Sequence, residues 1–161
     1  MVEEYMLKYD THAITYRELP NEVALSFSIT SCPFQCSGCH SPHLRCDIGH
    51  DNCELKEMIA KYHKHITAIC FLGHGGDNHK EAFTELLKDI KSKYNLKVGV
   101  YSGYPYPFEE FLPYVDYYKV GPYIQERGAL DDLNTNQVYY EVKGDELINK
   151  TYLFQNPRTP K

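Results

Sequence analysis

The stretch TAICFLGHGGDNHKEAFTELLKDIKSKYNLKVGVYS, Thr67–Ser102, carries the clearest architectural signal in this chain. It opens on a short continuous apolar run, Thr67 to Leu72, of the kind that forms a strand buried on both faces of a parallel sheet. After a glycine-rich turn, Phe83, Leu86, Leu87 and Ile90 recur at i, i+3, i+4 and i+7, which gathers four apolar side chains on one face of a helix. Asn78 stands where an N-cap is expected, and Glu81 three residues on completes a capping-box-like pattern. A second strand pattern, Lys97–Ser102, closes the unit. Strand, helix, strand is the crossover from which parallel sheets are built.

The rhythm extends outward in both directions. Upstream, Val23–Thr30 has strand composition, and Leu55, Met58, Ile59 and Tyr62 repeat the helical spacing with Asn52 as a possible cap. Downstream, Asp116–Val120 and Gln137–Val142 read as strands, with Pro107–Tyr114 as a short third crossover. The pattern predicts an α/β fold. A complete eight-stranded barrel takes about 250 residues, so these 161 residues predict an incomplete parallel β/α barrel. We expect a single domain, residues 1–161, whose segment 143–161 is a peripheral C-terminal tail ending in Asn156-Pro157 and Thr159-Pro160.

Composition narrows the function classes. An apolar share of 42% with seven Phe and fifteen Tyr is ample for one core. Seventeen basic against 22 acidic residues, a formal charge of −5 and no dense Lys/Arg run argue against a nucleic-acid partner. No apolar run reaches the length of a membrane span, and the acidic, polar start MVEEYMLKYD is unlike a signal peptide. A cytoplasmic location is the expectation, with no membrane association.

Six cysteines in such a chain point to metal or to chemistry more than to disulfides. Three of them, Cys32, Cys36 and Cys39, fall in SCPFQCSGCHSPHLR, Ser31–Arg45, directly after the first predicted strand. Loops at the C-terminal ends of parallel strands are where α/β sheets and barrels place ligands. Three thiolates can hold three irons of a 4Fe-4S cluster and leave the fourth open to a small molecule. Pro33, Ser37 and Gly38 suit a tight loop whose N–H groups point at cluster sulfides. A structural zinc site using the same cysteines with His40, His43 or Cys46 is the alternative on these residues alone. The turn Gly73–Asn78 reads two ways as well. Its glycine pair lets backbone approach a ligand, with Asp77 accepting from a cationic amino group, or the turn simply serves the following helix.

The C-x3-C-x2-C spacing resembles the signature of the radical S-adenosylmethionine superfamily. The order of the other motifs, Gly73-His-Gly-Gly-Asp-Asn78, Tyr101-Ser-Gly-Tyr104, Val120-Gly-Pro-Tyr-Ile-Gln125 and Asn134-Thr-Asn-Gln-Val138, resembles the activating proteins of anaerobic ribonucleoside-triphosphate reductase. The likeness covers about Ala13 to Val142. Departures are Gly38 where an aromatic often precedes the third cysteine, His40 in place of Tyr, His74 in place of Ser, Asn78 in place of Pro, and Val120 where the family has Asp.

The resemblance implies a 4Fe-4S cluster on Cys32, Cys36 and Cys39, and S-adenosyl-L-methionine contacted by Gly38, Cys39, His40, Gly75, Gly76 and Asp77. It implies no catalytic side chain beyond cluster and cofactor. The implied reaction is hydrogen abstraction by a 5'-deoxyadenosyl radical, leaving a glycyl radical on the large subunit of the reductase, with a one-electron donor such as flavodoxin. Another radical S-adenosylmethionine enzyme, acting on a small molecule or a different glycyl-radical enzyme, and a non-catalytic zinc protein are the rival readings.

Other residues call for blander roles. Cys70 reads as a small core residue, and Cys46 and Cys53 are too few for a second cluster. His63 and His65 suit a helix C-terminus. The aromatic stretch YPYPFEEFLPYVDYY, Tyr104–Tyr118, reads as core and rim packing, with a protein-docking surface as the alternative.

Overall fold

The computed structural model describes residues 9–29, 52–72 and 80–155. They form one seven-stranded sheet in which spatial order equals chain order. The strands are β1 (Tyr9–Thr15), β2 (Ala24–Ile29), β3 (Ala68–Leu72), β4 (Lys97–Tyr101), β5 (Tyr117–Val120), β6 (Val138–Lys143) and β7 (Glu146–Asn149). The helices are α1 (Asn52–Tyr62) between β2 and β3, and α2 (Lys80–Lys93) between β3 and β4. From β2 to β5 every pairing is parallel. β1 joins this block antiparallel on one side, and β6 and β7 extend it antiparallel on the other.

The sheet is therefore mixed. The strand expected at Gln137–Val142 is β6, and in a fold expected to be parallel it runs antiparallel to β5. The connection before it explains why: it holds no helix, only turns and one isolated bridge between Ile124 and Gly128. Without a crossover segment to carry it back along the sheet, the chain reverses. β1 and β7 were not anticipated. β7 lies within the segment read as a peripheral tail, where it forms a largely exposed edge. Between β4 and β5 there is a single 3-10 turn, Leu112–Tyr114, inside the region expected to hold the short third crossover.

Period-2 alternation sorts each parallel strand onto two faces. Leu25, Phe27 and Ile29 of β2, Ile69 and Phe71 of β3, Val98 and Val100 of β4, and Tyr118 and Val120 of β5 share one core with both helices. α1 contributes Leu55 and Ile59, and α2 contributes the four residues its spacing singles out, Phe83, Leu86, Leu87 and Ile90, all buried. A train of aromatic contacts crosses this core, from Phe27 to Phe71 at 6.0 Å, to Phe83 at 5.0 Å, to Phe111 at 4.9 Å and to Phe108 at 5.6 Å. Phe27 and Phe71 stack and the other three pairs meet edge to face, and each such pair adds about 0.5–1.5 kcal/mol beyond the area it buries. The stretch Tyr104–Tyr118 thus supplies core through Phe108, Phe111 and Tyr118, and leaves Tyr106 exposed.

Polar ties hold the N-terminal edge of the sheet. The carboxylate of Asp116 accepts from Lys91 Nζ at 2.6 Å and from Val98 N at 2.9 Å, which binds the end of α2 to the starts of β4 and β5. Thr67 Oγ1 donates to Glu22 Oε2 at 2.6 Å and accepts from Val23 N at 2.8 Å, tying β2 to β3.

With both helices on one face, loops must cover the other. Small residues, Ala24, Ala68 and Cys70, leave room there for Leu19, Leu130 and Tyr139 to pack, with Tyr117 and Phe154 against them. Gly99 makes the closest approach. A Cβ built on it would lie 2.4 Å and 2.8 Å from the two terminal carbons of Leu19, itself 1% exposed. Gly99→Ala is expected to lower stability by about 1–3 kcal/mol through this overpacking. In the background of Leu19→Ala, which itself removes a buried side chain, the same substitution should be close to neutral. Urea denaturation of the four members of the cycle checks it, and equal effects in both backgrounds would show that Leu19 is not what Gly99 accommodates.

Candidate functional site

Parallel strands point their C-terminal ends the same way, so one edge of the β2–β5 block collects the segments that follow each strand. Ser28 pairs with Leu72 across β2 and β3. Residues 30–51 and 73–79 therefore leave from neighbouring positions on that edge. They contain every residue the sequence assigns to metal or cofactor: Cys32, Cys36, Gly38, Cys39 and His40 in the first, Gly75, Gly76 and Asp77 in the second. All of these lie outside the described residues, as do Cys46 and the proposed cap Asn78.

The motifs that follow β4 and β5 are described, and they form one hydrogen-bonded knot. Ser102, buried directly after β4, donates its N–H to Lys119 O at 2.9 Å and accepts Tyr104 N on its Oγ at 3.1 Å. Tyr104 O in turn accepts Gly121 N at 2.6 Å. Gly121 holds φ +104°, and a Cβ there would press against Gln137 Cα at 3.1 Å and Asn136 O at 3.2 Å, so only glycine suits the position. Asn136 Nδ2 donates to Pro122 O at 3.0 Å and Gln137 Nε2 to Gly121 O at 3.5 Å. Val120-Gly-Pro-Tyr and Thr-Asn-Gln are separate in sequence, but the second clamps the main chain of the first at the end of β5. Asn136 Oδ1 is buried with no hydrogen-bond partner among the described residues.

One residue of this edge escaped sequence reading. Lys119 is buried on β5, and its Nζ donates to Gly121 O at 3.0 Å and Ser102 O at 3.4 Å, the carbonyls just past β5 and β4. Its signal was parity. In Tyr-Tyr-Lys-Val, Tyr118 and Val120 face the helices, so Lys119 must face the other side of a buried strand.

Beneath the edge, burial keeps Cys70 and Tyr101 neutral. Burial, reinforced by Glu18, raises the Cys70 thiol well above its usual range, while a hydrogen bond with Ser26 lowers it in part. Tyr101 is pushed up by burial and then by Cys70, Tyr139 and Glu18, and its hydroxyl donates to Glu18 O. Cys70 is thus the inert core thiol expected of it, because the thiolate is the reactive and metal-binding form. Cys53 is exposed on α1. Among the described residues, no group of three or more His, Cys, Asp or Glu is placed to hold a metal ion, and no helix is long and apolar enough to cross a membrane.

Comparison with known proteins gives one family match. Residues 22–134 match the 4Fe-4S single cluster domain, over more than two thirds of the chain. Neither a curated protein nor a solved structure matches. The matched span begins just before β2, takes in the three-cysteine segment, and runs past β5. An iron-sulfur cluster suits the donors it contains, three thiols within eight residues, far better than the scattered titratable groups elsewhere. By that match, the chain belongs to the 4Fe-4S single cluster domain family.

Proposed function

We propose that this chain is a radical S-adenosylmethionine activating enzyme that places a glycyl radical on the large subunit of an anaerobic ribonucleoside-triphosphate reductase. The observation that carries the proposal is the parallel run of β2 to β5: the cysteine segment follows β2 in the chain, the Gly-Gly-Asp segment follows β3, and the Val-Gly-Pro-Tyr knot closes the matching ends of β4 and β5. Family membership supports the cluster. In this reading β2–β5 with their helices on one face are the incomplete β/α barrel, working in the cytoplasm.

Cys32, Cys36 and Cys39 would hold the cluster by their thiolates. Gly38, Cys39 and His40 would contact the cofactor. Gly75 and Gly76 bring main chain close to the methionyl group, and Asp77 accepts hydrogen bonds from its ammonium. Leu19, Leu130 and Tyr139 fill the sheet face below and keep water from reaching the edge through it. Bound on Cys32, Cys36 and Cys39, the cluster would supply the one-electron reduction that splits S-adenosylmethionine and so the radical chemistry directed at the reductase glycine. The electron comes from a donor such as flavodoxin.

The test is anaerobic reconstitution with iron and sulfide, followed by incubation with S-adenosylmethionine, a strong one-electron reductant and the large subunit of an anaerobic ribonucleoside-triphosphate reductase from the same organism. We expect a doublet glycyl signal by electron paramagnetic resonance on the reductase, with 5'-deoxyadenosine formed in step. Cofactor cleavage with a radical-free reductase would reassign the substrate. Zinc in place of iron and acid-labile sulfide would overturn the enzyme altogether.

A further inference from the structure

The two outer strands of the sheet are finished differently. On β1 the register with β2 slips between Tyr9 and His12, an irregularity of the kind that blunts an edge against further pairing. β7 has no such device. It pairs with β6 in unbroken register from Lys143–Glu146 to Tyr140–Asn149, holds no proline, and is mostly exposed. Its hairpin turns through Gly144 and Asp145, with Gly144 at φ +60°. A two-residue turn makes Lys143 and Glu146 a hydrogen-bonded pair, and alternation then sends the N–H and C=O of Glu146, Ile148 and Lys150 toward β6. Two bonds agree with this parity: Lys150 N donates to Tyr139 O at 2.8 Å, while Val142 N turns the other way, to Asp116 O at 2.8 Å. The main-chain groups of Leu147 and Asn149 therefore face outward from the free edge. The side chains of Glu146, Ile148 and Lys150 share the sheet face of Tyr139 and Glu141. Among the described residues, neither Glu146 nor Lys150 is in an ion pair.

We propose that β7 takes the β7 of a second copy of this chain, antiparallel about a two-fold axis through Ile148. In that register Leu147 and Asn149 of one copy lie opposite Asn149 and Leu147 of the other, and exchange their outward N–H and C=O groups. The two Ile148 side chains meet at the axis, where a non-hydrogen-bonded pair brings side chains closest. Glu146 of each copy stands opposite Lys150 of the other, on the same face, so the edge is complementary to itself in charge. An axis through Leu147 also joins main-chain groups, but it sets Glu146 against Ile148 and Lys150 against Gly144. Charge thus selects the first register. Two-fold pairing points the parallel β2–β5 blocks of the copies in opposite directions and leaves the C-terminal edge of each free. The interface is independent of the chemistry proposed for that edge.

The experiment is analytical ultracentrifugation of the full-length, iron-reconstituted chain from micromolar to submillimolar concentration. A short strand pair buries less than a standard interface, so the dimer is weak and its population rises with concentration. Wild type should approach twice the mass of the chain at the top of that range. Leu147→Pro removes an outward N–H that no described residue engages, and should leave a folded monomer. Glu146→Lys and Lys150→Glu should each weaken self-association about tenfold or more, because like charges then face each other on both sides of the axis. An equimolar mixture of those two variants should dimerise again, since opposite charges meet once more. Wild type that stays monomeric throughout overturns the proposal and leaves the edge to a strand from another protein. A mixture no tighter than its separate components overturns it too, and a dimer that Leu147→Pro does not weaken places the interface elsewhere. If circular dichroism shows that Leu147→Pro does not fold, the charge exchange alone decides.

Discussion

Cys32→Ala, Cys36→Ala and Cys39→Ala are each expected to leave purified chain with almost no iron or acid-labile sulfide, while Cys46→Ala, Cys53→Ala and Cys70→Ala keep wild-type content. A cluster held by three thiolates has no spare protein ligand, so removing one leaves two irons attached and the cluster open to loss. The other cysteines cannot replace it, for separate reasons. Cys70 faces the floor of the sheet among Ala24, Ala68 and Tyr139, and burial keeps its thiol protonated. Cys53 is exposed on α1. Cys46 shares the long segment after β2 with the triad, which makes it the informative control. Iron and sulfide analysis on anaerobically prepared variants gives the result, with circular dichroism to confirm folding. An equal fall for Cys46→Ala would redraw the ligand set.

The second large effect is alkaline unfolding. Four tyrosines in the described structure are held above their ordinary range, and burial is the leading cause in each. Tyr118 is pushed up to about 12, although its hydrogen bond from Phe108 N pulls the other way. Tyr101 rises with burial, then Cys70, Tyr139 and Glu18; Tyr139 with burial, then Tyr117 and Cys70; Tyr117 with burial, then Glu22. A phenol whose folded pKa exceeds its unfolded one binds its proton more tightly in the folded chain. Its contribution to stability is complete below about pH 10, the unfolded value, and is lost as pH climbs toward the folded value. Tyr117 is too exposed for its full shift to count. The other three still give a fall of about 4 kcal/mol per pH unit at the steepest, against a total of about 5–15 kcal/mol for a domain. Thermal unfolding should therefore be nearly flat from about pH 7 to 9 and collapse between about pH 10 and 12. Ultraviolet absorbance should show the buried tyrosinates appearing together with loss of structure. A melting temperature at pH 11 equal to that at pH 8 would overturn this picture.

What could be read from the chain depended on how much of each element faces the core. Phe83, Leu86, Leu87 and Ile90 announce α2 because all four are buried against the sheet, and Ile69 and Phe71 announce β3 for the same reason. β7 buries almost nothing, so no periodicity marks it, and β1 is an edge strand whose middle residues are exposed. Strand direction is a different matter. Tyr139 and Tyr140 have the composition of any strand, and only the connection from Gly121 to Gln137, rich in turns and without helical spacing, told of a reversal. In the candidate site, the cysteines and glycines were legible as chemistry because their spacing is short-range. The knot of Ser102, Gly121, Asn136 and Gln137 was not, since its bonds join residues 14 to 17 apart through main-chain carbonyls that no side-chain pattern records. Lys119 was readable in principle from its place between Tyr118 and Val120, but parity tells only which face a residue takes, and the carbonyls that aim it come from two different loops.

A sheet whose spatial order repeats its chain order has a consequence for how the molecule comes into being. Every strand pairs with the one synthesised just before it. No strand waits for a distant partner, and each loop closure spans only one connection, so the entropy lost in assembling the sheet is met in small instalments. On the ribosome, β2, β3 and β4 can zip together while β5 is still inside the exit tunnel. The contact of Leu19 with Gly99 comes due as soon as β4 is in place, and Phe154 closes over Tyr139 last. The edge that bears the cysteine segment is thus bounded by paired strands on both sides before the chain is finished.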